Sequence, residues 1–174
     1  MVLNRGQFME LLLQMLETEQ GGVKVYETSL RCVVNEQLRQ EWDTYLAETI
    51  QHVEIVTELI EYFGGNAATE TPGRLVVRQI GESLVKAMEV ALNAEGLHEA
   101  AELVAAECVM HAETMVNRNW VLLREPGRRL RGFDAQAVED ALLEVQGQEK
   151  RLDRSTKWCR VLWIIALRRR ESGM

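Results

Sequence analysis

The chain has 174 residues, 47% of them hydrophobic and 27% charged, with a formal net charge of -7. That length suits one domain with a core large enough to need no disulfide or metal staple, and the acidic balance argues against binding nucleic acid through its phosphates. Three scattered cysteines, Cys32, Cys108 and Cys159, form neither a disulfide framework nor a zinc pattern.

Free thiols fit a reducing compartment. The opening residues carry no apolar core of the secretory type, so a cytoplasmic location is expected. No stretch approaches the roughly 18 apolar residues of a membrane span, so a membrane protein is not expected. Only Pro72 and Pro126 interrupt the chain, which favours long helices.

Residues 7–34 predict a first helix, with Phe8, Leu11, Leu12, Met15, Val23, Tyr26, Leu30 and Val33 at three- and four-residue steps. Gly21 and Gly22 are a weak point in it, because each glycine costs about 1 kcal/mol against alanine. Asn35 predicts the cap of a second helix ending at Phe63. A loop over 66–73 leads to a third helix over 74–94, and a fourth covers 98–123. Residues 124–133 read as a basic linker, and Asp134 opens one long C-terminal helix reaching residue 170. The expected fold is all-α: a four-helix bundle over 7–123, antiparallel through its short turns, with an additional C-terminal helix.

Two histidines share one local pattern. Glu48 and His52 with Glu54 on the second helix match Glu107 and His111 with Glu113 on the fourth, both as Glu-x-x-x-His-x-Glu. A four-residue step places Glu and His at neighbouring points of one helix face. Two such faces can converge in a bundle core, where imidazole and carboxylate suit iron, manganese or zinc. Glu19 adds a carboxylate on the apolar stripe of the first helix, a costly placement unless paired or metal-bound. Glu54 and Glu113 read as solvated, Glu82 and Glu89 as the exposed face of the third helix, and His98 as a surface residue.

Glu19 followed by Tyr26, together with the two Glu/His pairs, resembles the ferritin-like superfamily, above all its rubrerythrin-like bundles, over residues 7–123. That resemblance implies a ferritin-like fold and a di-iron or di-manganese carboxylate centre. Its ligands here would be Glu19, Glu48, His52, Glu107 and His111, and its chemistry the oxidation of ferrous iron or the reduction of peroxide or oxygen. The family spaces Glu and His three residues apart, whereas Thr49 and Cys108 stand at those positions here. The alternative is a non-catalytic bundle that works by oligomerising or by holding a partner helix. The C-terminal segment from Lys157 to Leu167 is apolar on most of its circumference, which predicts a packed helix or a homodimer contact.

Overall fold

The computed structural model describes residues 3–96 and 98–168, and within them the chain is all-helical. The elements are α1 (Arg5–Cys32), α2 (Glu36–Tyr62), α3 (Pro72–Asn93), α4 (His98–Gly127), α5 (Gly132–Glu144) and α6 (Gln148–Arg168). Local chemistry sets the boundaries. The side chains of Asn4, Asn35 and Thr71 accept from the backbone N–H of Gln7, Leu38 and Arg74, each satisfying a donor that the first helical turn leaves unpaired. Glu102, buried on α4, accepts from the N–H groups of Val34 and Asn35 at 2.9 and 2.6 Å and so fixes the α1–α2 turn.

Two sequence expectations are corrected at the C-terminal end. The linker over 124–133 is shorter, because α4 continues through Pro126 to Gly127. The single helix over 134–170 is two helices, broken at residues 145–147, where Gly147 takes a φ of 108° that other residues rarely adopt. The last two residues expected in that helix, Arg169 and Arg170, lie outside the described residues.

The walls of the core also differ from the expected set. α1 packs against α2, α3 and α4, and α4 packs against α1, α3, α5 and α6. One core cluster joins α1, α2 and α4 with Met88 of α3 and with Cys159 and Leu162 of α6. The other joins the same three helices with Val138, Ala141 and Val145, the α5 side of the break. The fourth wall is therefore the broken α5–α6 pair. α3 lies outside, in the groove between α1 and α4, and its only buried residues are Arg74 and Met88.

α3 is held there by Met88, Leu84, Val85, Ala91 and Leu92 packed on the core cluster, by polar pairing and by close backbone approach. Glu17 receives Arg74 Nε at 3.0 Å and Arg78 Nε at 2.9 Å. The Arg78 bonds hold the Glu17 carboxyl below its ordinary range. Gly21 of α1 meets Gly81 of α3 so closely that an added Cβ at Gly81 would sit 3.5 Å from the Gly21 backbone. Gly22 faces the Thr49 side chain of α2, whose methyl would sit 3.3 Å from an added Cβ. The glycine pair therefore marks helix contacts, and α1 runs unbroken through it.

Candidate functional site: a polar centre closed by arginine

The two apolar clusters are separated by a layer of buried polar residues at the level of the α5–α6 break. Glu19 is 2% exposed and His52 5%. Trp120 Nε1 donates to Glu19 Oε1 at 2.7 Å, and the Trp120 ring meets the His52 ring edge-on, centroids 5.7 Å apart. The other oxygen, Glu19 Oε2, lies 3.5 Å from His52 Nδ1. Neither atom makes a hydrogen bond among the described residues.

Beside them sits Glu113, 1% exposed. Its Oε1 accepts from Tyr26 Oη at 2.5 Å and from Arg151 Nη2 at 2.7 Å, and its Oε2 accepts from Gln148 Nε2. Arg151 Nη2 also donates to Thr49 Oγ1 at 2.8 Å. Its guanidinium carbon stands 4.7 Å from the centre of the Tyr45 ring and 5.6 Å from that of Tyr26, which adds cation–π attraction. Glu48 Oε2 completes the surround at 3.5 Å from Arg151 Nη1.

The electrostatics follow from burial. Desolvation pushes the Glu113 carboxyl above its ordinary value, and the nearby Glu19 charge adds to this, while Arg151 and Tyr26 pull it back. Burial, and then Glu113, push the Tyr26 phenol well up. Burial opposes the charge on Arg151, but Glu113, Tyr26 and Glu19 together more than offset it and hold the guanidinium protonated. A buried carboxylate is stable only with a cation and hydrogen bonds around it, and Glu113 has both. A cleft of about 360 Å³ between α2 and the α5–α6 turn reaches this layer and is lined in part by Glu48, His52, Gln148 and Arg151.

The five sequence candidates do not converge. Glu19 and His52 meet in the centre. Glu48 stands at its rim with its side chain 44% exposed. Glu107 faces α6 instead, accepting from Cys159 Sγ at 3.1 Å and Trp163 Nε1 at 2.6 Å, and these bonds lower its carboxyl pKa. His111 points to solvent. Among the described residues, no group of three or more His, Cys, Asp and Glu is placed to hold a metal ion, so the residues present do not fit a di-metal centre. Glu113, expected to be solvated, is the deepest carboxylate of α4, a correction with a simple cause. The shared Glu-x-x-x-His-x-Glu pattern sits in different rotational frames on the two helices, and the two-residue step from His111 to Glu113 turns about 200°. Glu54, Glu82 and His98 are exposed, as expected.

Sequence reasoning missed Arg151, Gln148 and the Glu17–Arg74–Arg78 cluster. Arg151 lies in the run Glu149–Arg154, which reads as a solvated face. The one available signal was Gly147, which ends a helix just before it. No protein-family model, curated protein or solved structure matches this chain. What defines it is thus its own architecture: an all-α bundle with a buried carboxylate layer neutralised from within. Among the described residues, no helix is long and apolar enough to cross a membrane.

Proposed function

We propose that this chain is a non-catalytic helical bundle that acts by association, and that its central polar layer is structural. The observation that carries this reading is Arg151. Its guanidinium occupies the space between α1, α2 and α4, bonding Tyr26, Thr49 and Glu113, and so fills the middle of the polar layer with a cation of the chain's own. A buried arginine forked onto carboxylate and hydroxyl acceptors fixes one arrangement of helices. The test is metal content, measured by elemental mass spectrometry on protein purified without chelators and again after reconstitution with iron or manganese. The expected result is no stoichiometric metal in either state.

A second reading has one observation in its favour. Glu19 Oε2 and His52 Nδ1 are buried, without hydrogen-bond partners among the described residues, and 3.5 Å apart. Two ligands of one transition-metal ion at about 2.1 Å have a similar separation. Iron or manganese near one per chain, lost in both Glu19→Gln and His52→Ala, would establish that ferritin-like reading and overturn the first.

A further inference from the structure

The C-terminal helix holds the longest stretch of the chain without an acidic residue. Seventeen residues separate Asp153 from Glu171, and six of them are cations: Arg154, Lys157, Arg160, Arg168, Arg169 and Arg170. In a chain of net charge -7 this is a local reversal of sign. Arg154 is taken up by Glu41, whereas Lys157, Arg160 and Arg168 are exposed. The same stretch ends in apolar surface. Ser155, Cys159 and Leu162 form the buried line of α6, at steps of four and three residues. Ala166 continues that line, yet it is exposed, so the helix runs past its support after Leu162. Around this last turn Trp163, Ile165 and Leu167 are 43%, 49% and 78% exposed. At 100° per residue these three and Ala166 span about 200° of the circumference.

We propose that this end of α6 docks on an anionic lipid surface. The unsupported turn sinks to the boundary between headgroups and acyl chains. Lys157 and Arg160 before it, and Arg168 after it, lay their stems along the apolar layer and carry their charges to the lipid phosphates. Two observations favour this occupant. A groove on a folded partner, or the same turn of a second copy, covers one helical stripe of about 100° and leaves the rest of the turn in water, whereas a bilayer closes around it. A nucleic acid pairs with the cations but offers nothing to Ile165 and Leu167. Glu107, the carboxylate beside the turn, is already bonded by Cys159 and Trp163. The contact is peripheral, because among the described residues no helix is long and apolar enough to cross a membrane. The acidic remainder of the chain opposes approach, so docking depends on anionic headgroups and weakens with salt. This deepens the association reading above by naming what the bundle associates with.

Co-sedimentation of the full chain with vesicles tests the docking. The wild type is expected to pellet with vesicles of equal parts phosphatidylserine and phosphatidylcholine, less so at high salt, and to stay in solution with phosphatidylcholine alone. Leu167→Glu and Arg160→Glu, each alone, are expected to weaken binding about tenfold or more. Val76→Glu, an equally exposed apolar site on α3, is expected to leave it unchanged. Circular dichroism and thermal midpoint should match the wild type in all three variants, which separates lost docking from lost folding. A wild type that ignores the mixed vesicles, or binds neutral ones as well, overturns the proposal. Binding that survives Leu167→Glu also overturns it, since adsorption by charge alone makes no use of the apolar turn. Sedimentation velocity without vesicles covers the remaining occupant: a dimer lost in Leu167→Glu, from a chain that binds no vesicles, assigns the turn to a second copy. Vesicle binding is read independently of metal content, so a failure here and a failure of the association reading are told apart.

Discussion

Replacing Arg151 by methionine keeps an unbranched apolar stem and deletes the cation facing Glu113. The carboxylate then retains Tyr26 Oη and Gln148 Nε2 and loses its counter-charge and one 2.7 Å bond, while Thr49 Oγ1 loses its donor. Removing one partner of a buried pair costs about 3–5 kcal/mol. At about 2–4 °C per kcal/mol for a chain of this size, the thermal midpoint should fall by roughly 10 °C at neutral pH. The loss should also depend on pH in a definite direction. Burial already holds the Glu113 carboxyl above its ordinary value of 4.5, so between that value and its folded pKa the native state binds more protons than the unfolded one. Stability therefore falls as pH rises through that window. Without Arg151 the folded pKa climbs further, the window widens, and the deficit against wild type grows from acid toward neutral pH. Adding Glu113→Gln to Arg151→Met removes the stranded charge and should recover roughly 1–3 kcal/mol. Urea unfolding of wild type, the two single variants Arg151→Met and Glu113→Gln, and the double variant at two pH values measures all of this. An Arg151→Met protein as stable as wild type at neutral pH, or a double variant no better than the single one, would refute the account of the centre.

Further outcomes follow from other parts of the fold. Gly81→Ala has ordinary contact distance to Gly21 and should stabilise α3 by about 0.5–1 kcal/mol, whereas Gly81→Leu should prise α3 from α1 at a cost of about 1–3 kcal/mol; denaturant midpoints distinguish the two. Glu17 has a depressed pKa caused first by Arg78, so its contribution is present above the ordinary carboxylate value and lost as pH falls through the folded one. Glu17→Gln should accordingly destabilise at neutral pH and flatten the acid limb of a stability–pH curve. All three cysteines are buried, and burial pushes the Cys32 thiol up to about 11 and the Cys159 thiol to about 12. A thiol reagent should react slowly with the native protein and with three groups once urea unfolds it.

Helix bounds marked by a cap were legible in the sequence, whereas which face of a helix turns inward was less so. α1 and α2 lie within two residues of their predicted bounds because an asparagine cap and a single apolar stripe mark each one. α4 buries both Cys108 on its α3 side and Glu113 on its core side. Its apolar signal is spread around the circumference, and the frame that put His111 inward was the wrong one of two. α3 has a clear stripe, but periodicity says which residues share a face and not whether that face looks in or out. Arg151 was hidden by its own chemistry, since one buried arginine in a charged run looks like its solvated neighbours. Glu19 was found because an isolated carboxylate among Met15, Val23 and Tyr26 has no solvated explanation.

The break at residues 145–147 has a consequence for the order in which the chain is made. A ribosome delivers α1, α2 and α4 first, and with them Glu19, His52 and Glu113. The guanidinium that neutralises this layer emerges only after Gly147. Until then, closing the three helices tightly would strand the Glu113 carboxylate in a dry interior without its cation, an arrangement that costs several kcal/mol. The second half of the fourth wall therefore acts as a bolt: the first turn of α6 brings Gln148 and Arg151 onto Glu113, so the tight arrangement of the first helices is stable only with the last one in place.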